Sequence, residues 1–237
     1  MRHNPDWKVR FYYPKYPTKD LSWVSFEHKF NMKFDDYYDK IFDLPIETIK
    51  VDFEDWFNMP NTMSEVHKSD LLRWQLLQEG GLWSDMDILY FNSVNELSIN
   101  TDDNEYVDTA VCYGRYGHSI GFLMGSDGNE IYEAMLKQAL IDYAPEQYQG
   151  IGSTLMNRVV TDVDADNIAN ISMNAVYHYD ALNINKIFDN NPSPMNVPGA
   201  IGCHWYAGHP LAGGFISKTN GGKEKLPKCV LSDLIKQ

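Results

Sequence analysis

Within the stretch Lys68 to Phe91, KSDLLRWQLLQEGGLWSDMDILYF, an acid and a guanidinium stand three residues apart, Asp70 and Arg73, followed by two acids two apart, Asp85 and Asp87. On a helix a spacing of three places Asp70 and Arg73 on one face. In an extended segment Asp85 and Asp87 share a face with Trp83, Leu89 and Phe91, their carboxylates roughly 6.5 Å apart along the strand. Like charges so close in an otherwise apolar segment repel and are poorly solvated, which raises their pKa values unless a cation lies between or beyond them. A divalent ion meets that need. Mn²⁺ or Mg²⁺ suits all-oxygen ligation and is commonly held by one or two carboxylates plus the phosphates of a substrate.

The elements that must position these groups follow from the same stretch. Leu71, Leu72, Leu76 and Leu77 form an apolar stripe with the charged pair at its edge, and Ser64 is a suitable N-cap upstream. Gly80 and Gly81 are expected to close the helix in the left-handed conformation, after which LWSDMDILYF runs as a strand. Helix rim and strand end then converge on one crevice at the carboxyl end of a strand. The Asp-x-Asp pattern recurs at Asp162, Asp164 and Asp166, but in TDVDADN a solvated acidic loop accounts for it.

Ser69, Asp70, Leu71, Leu72, Arg73, Gly80, Gly81, Leu82, Trp83, Asp85 and Asp87 fill, in order and at the right spacing, a Ser-Asp-hydrophobic-hydrophobic-Arg helix, a Gly-Gly-hydrophobic-aromatic turn and Asp-x-Asp. The stretch resembles the sugar-binding region of the DXD-containing glycosyltransferases, a group that includes fungal initiating mannosyltransferases and capsular polysaccharide enzymes. It departs from them in having Trp83 where tyrosine is usual and Ser84 where a hydrophobic residue is usual. The resemblance implies an α/β glycosyltransferase A-type (GT-A) fold around a mixed, mostly parallel sheet. It implies a nucleotide-sugar donor, UDP-sugar or GDP-mannose, held through Mn²⁺ or Mg²⁺. Asp70 and Arg73 would contact the donor sugar, Asp85 the ribose or sugar and the metal, and Asp87 the metal, with Trp83 as an aromatic wall. Relatives carry a Gly-Pro turn before a helix where this chain has Gly152-Ser153, so Gly152 is a further donor-side candidate; Ser153 serves equally as a plain N-cap. Near the C-terminus, in AIGCHWYAGHP, His204 matches the family histidine and His209 stands in the position of a serine that helps complete the metal or diphosphate site. Two histidines in a glycine-rich surface loop is the alternative reading.

Composition sets the outer limits. The chain has 237 residues, is expected to form a single domain over 1–237 with a Gly/Lys-rich tail from about 211, and is long enough to bury a full core. Twenty basic residues against 33 acidic give a net charge of −13, which argues against nucleic acid or an anionic membrane as partner and makes a metal necessary for any nucleotide donor. Cys112, Cys203 and Cys229 are too few and too irregularly spaced for a disulfide framework or zinc site, pointing to a reducing, cytoplasmic setting. No window approaches a membrane span, and MRHNPDWK lacks a signal-peptide core.

Along the rest of the chain, WKVRFYY, Glu47–Phe53, TAVCYG, HSIGFLMGS and AVYHYDAL read as strands, a short helix falls near Tyr37 to Phe42, and Asn129–Ala139 reads as a longer one. His67 reads as a surface histidine, Trp56 and Phe57 as core. The segment NPDW is similar to one that follows the first strand in the family, so the family's first strand is expected to be missing here. The expected activity is metal-dependent transfer of a hexose from a nucleotide sugar to a glycan or other hydroxyl acceptor, with retention implied by the resemblance. Two alternatives stand beside it. A non-catalytic nucleotide-sugar or glycan binding module would use the same residues, whereas an aspartate-nucleophile phosphatase needs Thr or Gly just after the acids, where this chain has Ile88-Leu89.

Overall fold

The computed structural model describes residues 2–18, 38–97, 99–100, 108–114, 117–162, 168–180, 182–189, 196–219 and 226–236. Over these the chain is a mixed α/β protein. Strands β1 (Arg10–Pro14) and β2 (Glu47–Val51) form a parallel pair of their own, with the short helix α1 (Tyr38–Ile41) ahead of β2. Helices α2 (Phe53–Phe57) and α3 (Glu65–Leu77) then lead into β3 (Glu79–Ser84), while β4 (Ile88–Tyr90) follows at once in a different sheet.

The main sheet is completed by β5 (Ile99–Asn100), β6 (Thr109–Gly114), β7 (Gly117–Asp127) and β8 (Ile168–Ile171), in the order β3-β7-β6-β8-β5. Only β6 and β8 run parallel; the pairs β3–β7, β7–β6 and β8–β5 are antiparallel. The sheet is therefore mixed as expected but mostly antiparallel, not mostly parallel. For β6 and β7 the cause is connection length, since so short a link can join only antiparallel neighbours; the other antiparallel pairs follow from which strands become neighbours. The crossover from β7 to β8 carries α4 (Glu130–Asp142) and α5 (Ser153–Asp162), long enough to place β8 parallel beside β6. A third, two-stranded sheet pairs β4 with β9 (Gly202–His204), after which α6 (Pro210–Thr219) and α7 (Val230–Ile235) pack on the C-terminal core.

Helix α3 is the centre of the packing. Ser64 caps it, its side chain accepting from His67 N–H, as its position predicted. Leu71, Leu72, Trp74 and Leu77 are buried against α4, α5 and β7. The Trp74 indole donates to the Ile151 carbonyl at 2.8 Å and stacks on Tyr132. Several charged or titratable positions of α3 are also closed off. The Lys68 ammonium meets the Tyr16 carbonyl, Thr18 and Glu65, and His67, expected at the surface, is buried with Nε2 3.0 Å from the Gln147 carbonyl oxygen.

Four other expectations are corrected. Helix α3 ends at Leu77 with Gln78 as its cap, so Gly80 and Gly81 do not close it; they lie inside β3 at φ of 78° and 119°. Among its described residues AVYHYDAL forms no strand, the pairing with β6 being taken by β8, whose Ala169 and Ile171 face the core. Trp56 is 44% exposed while Phe57 is buried. The expected tail contains α6, ordered by the burial of Ala212 and Phe215; Lys228 is exposed, and Lys223 and Lys225 lie outside the described residues, as do Asp164 and Asp166.

Gly80 has no room for a side chain, since a Cβ there would stand 2.8 Å from the Asp127 nitrogen at a positive φ. Gly80→Ala is expected to cost about 1–3 kcal/mol in urea unfolding. Gly214→Ala, in α6 with open space around it, is expected to be neutral or slightly stabilising in the same measurement.

Candidate metal centre

The segment expected as one strand is two. β3 ends at Ser84 in the main sheet and β4 begins at Ile88 in the small one, so Asp85, Met86 and Asp87 form a turn, with the Ile88 N–H 3.4 Å from the Asp85 carbonyl oxygen. The two carboxylates accordingly meet across a change of sheet, not side by side along a strand, and Met86 projects at the apex, 75% exposed.

Each flank of the turn is pinned by a different partner. On the β3 side Ser84 pairs with Phe122 and the Asp85 N–H donates to the Gly121 carbonyl at 2.8 Å. On the β4 side Ile88 pairs with His204. One potential ligand atom from each of Asp85, Asp87 and His204 then lies within 4.8 Å of the others. The imidazole Nε2 of His204 is 3.0 Å from Asp87 Oδ1. The chain beyond His204 wraps the same acid: Trp205 N–H donates to the Asp87 carbonyl at 3.0 Å and Ala207 N–H to Asp87 Oδ2 at 2.9 Å. Tyr206 sits between those two donors at a φ of 52°, a left-handed kink that turns the Ala207 amide back onto the carboxylate.

Two carboxylates and one imidazole are a donor set that suits Mn²⁺ or Mg²⁺ and leaves coordination positions for other oxygens. His204 Nδ1 is buried with no hydrogen-bond partner among the described residues, and the ring is held by its Nε2 contact to Asp87 and by packing against Tyr206 and Tyr177. His209, expected as a further ligand, is not in the group. Its Nδ1 accepts from Leu211 N–H at 3.2 Å, where it helps start α6.

Behind Asp85 lies the charged pair of α3. Arg73 stands 3.3 Å from Asp70 Oδ1 and 3.8 Å from Asp85 Oδ1, and its guanidinium also donates to the Ile120 carbonyl. The indole of Trp83 donates to Asp85 Oδ1 at 3.0 Å, and the Arg73 guanidinium carbon is 5.1 Å from the Trp83 ring centre. Asp70 and Arg73 are buried, at 2% and 4% exposure, so in this structure they back the acidic turn and do not face open solvent. Gly152 stands against Asp70: a Cβ there would fall 2.7 Å from Asp70 Oδ2. The residues singled out from the sequence, other than His209, therefore form one contiguous cluster.

Beside the cluster opens a cleft of about 520 Å³ between β1, α3 and β3, whose walls include Trp7, Arg10, Lys68, Trp83, Asp85 and Met86. It combines aromatic surface with cations in an otherwise acidic chain. Residues that sequence reasoning did not find are Gly121 and Ala207. Gly121 had a signal, being a glycine inside an apolar strand; a Cβ there would lie 2.6 Å from both Asp85 Oδ2 and the Tyr177 hydroxyl. Ala207 acts through its backbone and had none.

The electrostatics are those of crowded acids. Burial pushes the Asp70 carboxyl up to about 7, with Asp85 adding to the rise and Arg73 opposing it. Burial also raises Asp87, but the hydrogen bond and charge of His204, with the Ala207 amide, outweigh it and leave Asp87 below its ordinary value. The surrounding phenols stay neutral: burial lifts Tyr90 to about 12 and Tyr177 well above its usual range.

A carboxyl raised from near 4 unfolded to about 7 folded binds its proton more tightly in the native state, so its contribution to stability declines as pH rises from 4 to 7. Asp70→Asn is expected to remove a slope of up to roughly 1 kcal/mol per pH unit across that window. Urea unfolding at a series of pH values measures it, and parallel curves for the two proteins would contradict the assignment.

No protein-family model and no curated protein sequence matches this chain, so the likeness to DXD glycosyltransferases rests on the motif residues themselves.

Proposed function

We propose that the protein is a metal-dependent glycosyltransferase of the GT-A type that moves a sugar from a nucleotide-diphosphate donor to a hydroxyl acceptor. The observation that carries this reading is the convergence of Asp85, Asp87 and His204, backed by Arg73, at the edge of a cleft large enough for a nucleotide. Asp85, Asp87 and His204 would hold Mn²⁺ or Mg²⁺. When bound, such an ion supplies positive charge against a diphosphate as it leaves.

The chain's own residues account for the remaining tasks. The Ala207 amide and the Trp205 amide fix Asp87, while Gly121 and Trp83 fix Asp85, so both acids are held ready with little freedom to lose on binding. Arg73 offsets the repulsion between Asp70 and Asp85. Trp83 and Trp7 offer flat apolar faces to a base or sugar ring, and Arg10, paired with Glu47, adds a cation at the cleft wall. A same-face attack by the acceptor hydroxyl is the most economical route to the retention that the family likeness implies. The burial of Asp70 and Arg73 favours a second reading, a nucleotide-sugar binding module without turnover, because neither side chain reaches the cleft in this conformation.

A panel of UDP- and GDP-sugars, assayed for Mn²⁺-dependent release of nucleoside diphosphate, separates the two. Turnover with at least one donor, abolished by EDTA, is the expected outcome; donor binding by calorimetry with no turnover under any acceptor would establish the binding module instead. Asp87→Ala is expected to lower turnover by at least about 100-fold, and full activity in that variant would end the metal assignment.

A further inference from the structure

We propose that Trp83 is the positioning residue of this metal centre, holding the Asp85 carboxylate and the Arg73 guanidinium in one arrangement and thereby setting the affinity for the cation. The inference rests on the metal-dependent reading above and adds to it a role for an aromatic side chain that is not itself a ligand. Asp85 is the least enclosed of the three proposed ligands, its side chain 33% exposed against 20% for Asp87 and 11% for His204. Asp87 has its own restraints, with His204 on one carboxylate oxygen and the Ala207 amide on the other. Asp85 has no backbone amide on its carboxylate among the described residues. Its close side-chain hydrogen bond is the one from the Trp83 indole at 3.0 Å, to the same Oδ1 that Arg73 approaches only to 3.8 Å.

The indole serves both partners at once. Its N–H binds the acid, while Arg73 lies 5.1 Å from the ring centre and is attracted by the negative face of the π-system. Trp83 is itself fixed by the β3–β7 ladder, in register with Leu123, which makes it a rigid support two residues from the carboxylate it orients. Without the indole the Asp85 side chain, a third exposed and held by no backbone amide among the described residues, is free to turn toward solvent, and a ligand that must be brought back on binding weakens the site.

Electron paramagnetic resonance of Mn²⁺ added to the full chain tests this, since free and bound ion give distinct signals. Trp83→Phe retains an aromatic face for Arg73 and removes the indole donor. It is expected to weaken Mn²⁺ binding by about tenfold and to alter the fine structure of the bound-ion spectrum, with the far-ultraviolet dichroism of the EDTA-treated protein unchanged. Trp83→Leu, which removes both the donor and the aromatic face, carries the same test with at least the same loss expected. Affinity and bound-ion spectrum matching the unmodified protein in a folded variant would overturn the role of Trp83 while leaving the metal centre in place. Failure of the unmodified protein to bind Mn²⁺ at all would overturn both the inference and the reading beneath it.

Discussion

Three carboxylates share one small region with the Arg73 guanidinium, and much of the surrounding structure answers to that crowding. Asp70, Asp85 and Asp87 cannot all be ionised cheaply at partial burial, because each charge loses hydration and gains repulsion. The molecule relieves this differently at each acid. Asp70 is kept near neutrality by burial, Asp85 leans on Arg73 and the Trp83 indole, and Asp87 is held ionised by His204 and a backbone amide. What remains is two carboxylates facing an imidazole at the junction of two sheets.

The backbone supports this through a change of sheet. β3 ends in the main sheet on one side of the turn and β4 starts in the small sheet on the other, so the acids at the junction are held by two independent sets of ladder bonds. Glycines at 80, 121 and 152 allow the approach: β3 comes against the end of β7, Asp85 against Gly121, and Asp70 against Gly152. At each of these positions a methyl group would occupy space already taken by backbone or a carboxylate.

Much of the site could be read from residue types, and the exceptions have physical causes. The pairing of Asp70 with Arg73 followed from helical spacing, and their nearness to Asp85 and Asp87 from the short link between α3 and β3. The sharing of one strand face by the two aspartates did not hold, because alternation cannot distinguish a continuous strand from two strands that meet at a turn. Gly80 and Gly81 were read as a helix stop since glycine signals a positive φ without saying which element needs it. His204 and His209 were both expected as metal ligands; the left-handed residue at Tyr206 and the onset of α6 direct them to different tasks. The predominance of antiparallel pairing depended on which strands become neighbours, and local pattern carries no record of that.

The wrap around Asp87 joins positions 120 residues apart in the chain, through a ladder whose strands are three residues long. Closing so long a loop is entropically costly, and so few ladder bonds offset little of that cost. The small sheet thus depends on the helices packed beyond it to stay formed. Any ion held by Asp85, Asp87 and His204 would therefore bind only after segments 120 residues apart have come together, so its uptake would serve as a gauge of that closure.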